Sequence, residues 1–349
     1  MMKRFVLMKK VFFIFLIVGF AVTGFAKTEA APEVYTMRFS SSFNPGATEM
    51  VGTIEWCKYI EANSGGRIKV QFFDSGSLYA ADKALEAVMM GMCEGIETTS
   101  MELTVIMPEW NLVLAPGLMN TPELYSYIVD GEPGVKLWEN LERNGLKGIA
   151  MVPTAKYGKY GGGYATKDRF IKVPADFDGL KLRVYSPSDV SIVNKYGGVP
   201  VSMPGGDVFM ALQLGTISGT SCGLGHFSER KFQEAGAIYY TSCPTKGGNP
   251  YVTLLNKDWF DKLPADLQIL LLESGKRIID VGSRERAVEN DKLDYQYAVD
   301  RGVLIYELTP EDIAAWKVDI DLAIETLKAS DPGLKELIEM VEEFKKTQG

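Results

Sequence analysis

The chain has 349 residues, 46% hydrophobic and 23% charged, with a formal net charge of −8 from 37 Lys and Arg against 45 Asp and Glu. An acidic total offers no general attraction to phosphate backbones and argues against a nucleic-acid partner. A single histidine, His226, excludes a His-rich metal site and any mechanism needing two imidazoles, and no metal or cofactor is implied.

Lys3, Arg4, Lys9 and Lys10 make a basic start, an apolar run follows from Val11 to Phe25, and Gly24, Phe25 and Ala26 precede Lys27. Basic segment, short apolar segment and small-x-small exit form the pattern of a cleavable secretory signal. A transmembrane anchor is the alternative, but it needs about 20 apolar residues, so no stable membrane insertion of the mature chain is expected. Met8, followed by Lys9 and Lys10, is a second candidate initiator beside Met1. The mature chain, about 320 residues, is long for one core and comfortable for two lobes.

Residues 33–44 alternate as a strand with Tyr35, Met37 and Phe39 on one side, and Asn44-Pro45-Gly46 signals a turn. Met50, Ile54, Cys57 and Ile60 recur at helical spacing over 47–63, and Ser64-Gly65-Gly66 closes that helix as a glycine cap. Residues 67–73 form a second strand, 82–92 a second helix and 95–100 a third strand. This alternation predicts an α/β lobe with a largely parallel sheet. A second series begins at Leu180: strand 180–185, helix 187–196, strand 199–203, helix 206–214 and strand 216–222. Residues 259–298 read as helical with a break before Pro264, leaving an unusually long second helix, and Thr309-Pro310-Glu311-Asp312 opens a last helical stretch. Two α/β lobes joined by crossing strands make a ligand clamp, with the ligand at the carboxyl ends of the strands.

No nucleophile elbow, Walker A loop or H-E-x-x-H motif occurs. His226 lies near Ser221 and Ser228, but a nucleophile–base pair needs geometry that spacing does not give. Acidic residues are plentiful and none is singled out for glycoside chemistry. The glycine-rich run from Tyr160 to Tyr164 reads as a flexible strand or lobe-to-lobe hinge. Arg183 stands out. In Leu180-Lys181-Leu182-Arg183-Val184 the apolar residues share one face and Arg183 lies on the other, near the carboxyl end of a strand that enters a helix. Its planar fork fits a carboxylate with two parallel bonds. A structural pairing with a neighbouring acid fits equally well.

The segment from Asp176 to Val184 (DFDGLKLRV) matches a signature of the substrate-binding proteins of TRAP transporters, DctP type. Further pieces resemble that family in its order: SGGRIKV from Ser64, SGSL from Ser75, VPVSMP from Val199, DVFMALQ from Asp207 and WFDKLPADLQ from Trp259. The resemblance spans essentially the whole mature chain. It implies an α/β, two-lobed periplasmic binding protein fold with hinge strands and a long helix spanning both lobes. The implied division is 1–26 as signal peptide, 27–158 plus 244–285 as lobe I, and 159–243 plus 286–349, with the C-terminal helices, as lobe II. It implies an extracytoplasmic receptor, not an enzyme, that captures a small organic acid in the periplasm for TRAP membrane permease subunits, with Arg183 on the ligand's carboxylate. A periplasmic sensor on the same clamp and an exported hydrolase are the alternatives. Departures are visible too. Cys222 and Cys243 stand where the family has Asn, and Gly163 stands where sialic-acid binders carry a second Arg. Ser42, Thr99 and Tyr160 are candidate substitutes for the carboxylate support, and Trp110, Tyr157, Tyr160, Tyr164 and Phe227 suggest an aromatic cleft lining. Two Asn-to-Cys changes suggest a Cys222–Cys243 disulfide; two buried thiols acting as apolar filler are the other reading.

If the N-terminal segment is a cleaved signal, Edman sequencing of the exported protein reads from close to Lys27. An intact N-terminus in the membrane fraction contradicts this reading.

Overall fold

The computed structural model describes residues 33–45, 50–119, 121–152, 162–184, 187–243, 246 and 249–348. The chain runs β1 (Tyr35–Ser41), α1 (Met50–Asn63), β2 (Ile68–Phe73), α2 (Ala81–Met89), β3 (Gly95–Thr99), α3 (Ser100–Leu103), α4 (Pro122–Asp130), α5 (Glu132–Arg143) and β4 (Leu146–Val152). A second series follows with β5 (Gly163–Thr166), β6 (Lys181–Val184), α6 (Pro187–Lys195), β7 (Val199–Ser202), α7 (Val208–Gln213), β8 (Gly219–Ser221), α8 (Leu224–Glu229) and β9 (Tyr239–Ser242). The last part is β10 (Tyr251–Asn256), α9 (Lys257–Lys262), α10 (Ala265–Ser274), α11 (Gly282–Asp300), β11 (Leu304–Glu307), α12 (Pro310–Ser330) and α13 (Pro332–Gln348).

The strands form two sheets, ordered β2-β1-β3-β10-β4 and β11-β9-β5-β8-β6-β7. The expectation of largely parallel sheets holds for β1 with β2 and β3, and for β6 with β7 and β8. It fails in the middle of each sheet, where β10 runs antiparallel to both neighbours and β5 antiparallel to β8 and β9. The reason is topological. β4 ends at the carboxyl edge of the first sheet and the chain next enters the second sheet as β5; β9 ends at the carboxyl edge of the second and the chain returns as β10. A strand that enters from the carboxyl edge has to run against its parallel neighbours.

Local chemistry sets most boundaries. Met50, Thr53, Trp56, Cys57 and Ile60 form the buried stripe of α1, and Gly65 and Gly66 beyond it adopt positive φ, 65° and 80°, a turn that side chains resist. At α12 the Asp312 N–H donates to Thr309 Oγ1 at 3.2 Å while the Thr309 N–H donates to Asp312 Oδ2 at 2.8 Å, a reciprocal cap. The periodicity gives no element over 101–159, where the structure places α4, α5 and β4. One apolar cluster covers one face of the first sheet, with Ile96, Val252 and Leu254, and a second covers the other, with Phe39, Trp56 and Leu255. Two more clusters flank the second sheet. The final helix packs on α4, α5 and the turn Pro108–Leu114, and Leu334, Leu337, Ile338 and Val341 join a first-sheet cluster. Its core contacts therefore lie with the first lobe, whereas the sequence division gives 286–349 to the second.

The long helix is present as α10, a π-helical stretch (Gly275–Val281) and α11. The π stretch packs on α1 and β4 and α11 packs on α8, so one rod touches layers of both sheets. Asp280, 2% exposed, anchors it. Its carboxylate accepts from Arg284 Nε at 2.7 Å and from Lys276 Nζ at 2.5 Å, and Arg284 Nη1 also donates to Asp130 Oδ2 of α4 at 2.7 Å. Breaking a fully buried pair costs roughly 3–5 kcal/mol; because Arg284 and Lys276 keep 20% and 51% of their side-chain exposure, about 2 kcal/mol is expected here. Asp280→Ala therefore lowers the urea midpoint by that equivalent, and an unchanged midpoint contradicts the anchoring role. Among the described residues no helix is long and apolar enough to cross a membrane.

Candidate functional site

The carboxyl edges of the two sheets meet. Tyr251, first residue of β10, places its hydroxyl 3.3 Å from Nε2 of His226 on α8. Phe43, just past β1, stacks on the Tyr251 ring at 4.2 Å between centroids and 20° between planes. On the first-sheet side, Thr99 ends β3 opposite Tyr251. Its hydroxyl is buried with no hydrogen-bond partner among the described residues, a donor and acceptor available to a ligand or water. Ser42 lies at the bend that follows β1, half-buried.

On the second-sheet side, β6 alternates as its sequence requires: Leu182 and Val184 are buried, Lys181 is exposed and Arg183 is intermediate. The Arg183 guanidinium is braced by the carbonyls of the adjacent strand ends, with Nε donating to Met203 O at 3.3 Å and Nη1 to Ser221 O at 3.4 Å. The braces present the guanidinium at the carboxyl edge, as the pattern of the strand predicts. A larger group surrounds it. Lys246 Nζ donates to Asp189 Oδ1 at 2.6 Å, to Asp189 Oδ2 at 2.8 Å and to Ser221 Oγ at 2.7 Å, and lies 4.5 Å from the Tyr164 ring centroid. The Ser221 hydroxyl donates to Asp189 Oδ2 at 3.2 Å and the Tyr164 hydroxyl to Asp189 Oδ1 at 3.4 Å. Neither Lys246 nor Asp189 is a candidate by sequence: 57 residues separate them and no local motif joins them.

The Cys222 thiol reads the local field. Burial pushes it up to about 12, against the opposing pull of Arg183, Lys246 and Arg230, all positive. Three cations thus converge on the end of β8, where an anion is favoured. Cys222 itself stays a neutral thiol and supplies no strong donor.

The other candidates resolve differently. Tyr157 and Tyr160 lie outside the described residues. Gly163 opens β5 and contributes backbone, its carbonyl accepting from the Cys222 N–H at 3.0 Å; a Cβ there would meet Thr241 O at 2.5 Å and the Tyr240 hydroxyl at 2.6 Å. Trp110 is corrected: it is fully buried in a first-sheet cluster, edge-on to Trp138 at 5.9 Å, and does not line the cleft. Phe227 and Tyr164 are likewise core, and Tyr251 is 5% exposed; the half-buried Phe43, stacked on Tyr251, is the aromatic ring nearest this edge. Of the two readings of Cys222 and Cys243, the buried thiols hold: Cys57, Cys93, Cys222 and Cys243 are all buried thiols. The Cys222 N–H bonds Gly163 O and the Cys243 N–H bonds Gly162 O, on opposite sides of one strand. Two strand spacings separate the Cα atoms, roughly 9–10 Å, beyond the roughly 7 Å that a disulfide spans.

Comparison with known proteins places this arrangement. The family model described as bacterial extracellular solute-binding protein, family 7, matches residues 39–329. A solute-binding protein of Verminephrobacter eiseniae is 28% identical over 264 residues, covering 73% of this chain and 74% of the relative. The C4-dicarboxylate-binding periplasmic protein DctP of Rhodobacter capsulatus is 25% identical over 291 residues, covering 82% and 85%. Among solved structures, the sugar acid binding protein DctPAm of Advenella mimigardefordensis, in complex with galactonate, superposes with a TM-score of 0.79 at 21% identity, covering 91% of this chain and 100% of that one.

Buried, neutral thiols resist alkylation. Native protein at pH 8 is expected to leave Cys222 unlabelled by iodoacetamide, and the denatured, unreduced protein to titrate four thiols with Ellman's reagent. Two thiols in the denatured sample would restore the disulfide.

Proposed function

Because the chain belongs to family 7 of the bacterial extracellular solute-binding proteins, we propose that it is an extracytoplasmic receptor for a small organic acid, gripping the acid's carboxylate with Arg183 and delivering it to a TRAP permease. The carrying observation is Arg183 itself, held by two backbone carbonyls at the carboxyl edge where the sheets meet. Carbonyl braces fix the direction of a planar guanidinium fork, which suits it to a carboxylate. Lys246 and Arg230 add positive potential at the same strand end. The first sheet presents the Thr99 hydroxyl and the Phe43–Tyr251 stack, chemistry suited to the remainder of a small acid that carries hydroxyls and some apolar surface. The ligands named for these relatives, C4-dicarboxylates and galactonate, have a carboxylate in common. The role is capture and release in the periplasm rather than turnover, and the secretory pattern before Lys27 provides the route there.

A thermal-shift screen of small carboxylic acids finds the ligand, since a molecule that binds only the native state raises the melting temperature. For any acid so found, Arg183→Ala removes one partner of a charge-assisted pair. A loss of roughly 3–5 kcal/mol corresponds to about 100-fold or more in Kd, and takes micromolar binding out of calorimetric range. Arg183→Lys keeps the charge but not the fork and weakens binding by about a hundredfold. Near wild-type affinity in Arg183→Ala, with the fold intact by circular dichroism, would remove Arg183 from the site.

A further inference from the structure

The Lys246–Asp189 pair needs a reason to exist. The two side chains keep only 6% and 8% of their exposure, and burying such a pair costs about as much as it returns, so well-packed apolar residues would serve the core at least as well. Its geometry, however, is complete. The three donors of Lys246 Nζ meet Asp189 Oδ1, Asp189 Oδ2 and Ser221 Oγ. Its ammonium thus ties Ser221 to Asp189. Ser221 is the last residue of β8, and its carbonyl is one of the two braces on the Arg183 guanidinium.

The placement of Lys246 in the chain gives the clamp a second property. It lies on the connection from β9 to β10, which leaves the second sheet and enters the first. Within the same connection, Asn249 Oδ1 accepts from the Ser100 hydroxyl at 3.1 Å and from the Met101 N–H at 3.2 Å, tying it to the start of α3. Lys246 is thus pinned to β8 and α6 and Asn249 to the start of α3 on the first sheet. Arg183 hangs from the second-sheet end of that tether.

We infer that Lys246 is a positioning residue for the ligand-binding arginine: the Asp189–Lys246–Ser221 clamp fixes the carbonyl that orients Arg183, and links that orientation to the segment crossing between the sheets. This rests on the assignment of Arg183 to carboxylate binding, but its first test needs no ligand. In protein labelled with 15N-arginine, Arg183 Nε–Hε is assigned by its loss in Arg183→Lys, and its exchange with water is measured. Lys246→Met is expected to speed that exchange at least tenfold, while Arg284 Nε–Hε, bound to Asp280 far along the long helix, is unchanged. Ser221→Ala, which keeps the ion pair and cuts only the link to the β8 peptide, gives a smaller increase in the same direction and carries the test if Lys246→Met fails to fold. Unchanged Arg183 exchange in the folded variants overturns the inference, as does a matching increase at Arg284, which would mean general loosening. The second readout is affinity, with galactonate, succinate, pyroglutamate and orotate as probes. For each acid that the wild type binds, Lys246→Met lowers affinity at least tenfold, yet adds nothing in an Arg183→Lys background measured at millimolar acid. Equal losses in both backgrounds overturn a route through Arg183. If Arg183 exchange responds and none of the four acids binds, the positioning claim stands and the carboxylate reading carries the failure.

Discussion

Two crossings of the chain between sheets govern the rest of the structure. Each sheet is parallel where the chain stays within it, and its carboxyl edge faces that of the other. A segment that leaves one carboxyl edge can enter the other sheet only from the same side, so β5 and β10 run antiparallel in the middle of their sheets. This fixes what stands at the facing edges. The ends of β1, β3, β6 and β8 and the beginnings of β5 and β10 all open there, which sets Phe43, Thr99 and Tyr251 on the edge of the first sheet and Arg183 and Ser221 on the edge of the second. The long helix, anchored through Asp280 and packed on α8 at its far end, holds the two layers together along the back.

The chemistry at this edge follows from how the charges are satisfied. Lys246 is matched by a carboxylate and a hydroxyl and is nearly buried. Arg183 is braced by the carbonyls of Met203 and Ser221, which hold its direction at the carboxyl edge. The difference separates a group that shapes the site from one that uses it. The same field reaches Cys222, whose thiol remains protonated because burial outweighs three neighbouring cations.

Much of this was legible in the sequence, and the boundary between legible and not is physical. Alternation within Leu180 to Val184 put Arg183 on the open face of its strand, and the succession of strand and helix put it at the carboxyl end; both are local properties of the chain. The caps at Gly65 and Thr309 were equally local. The aromatic lining was not, because a buried and an edge-facing aromatic have the same sequence signature: Trp110 and Phe227 fill cores, while the half-buried Phe43 stacks on Tyr251 just past the end of β1. The proximity of Cys222 and Cys243 failed for a similar reason, since the strand between them, β5, comes from more than fifty residues earlier. The Asp189–Lys246 pair is a tertiary event that no spacing announces.

The central claim is that Arg183 meets the carboxylate of a small organic acid between the two sheets. A crystal structure with an acid from the thermal-shift screen tests it most directly. The account predicts a carboxylate within hydrogen-bond distance of the Arg183 guanidinium, roughly 2.7–2.9 Å, with the rest of the molecule towards Thr99 and the Phe43–Tyr251 stack. A bound acid whose carboxylate lies elsewhere, out of reach of the Arg183 guanidinium, would contradict it.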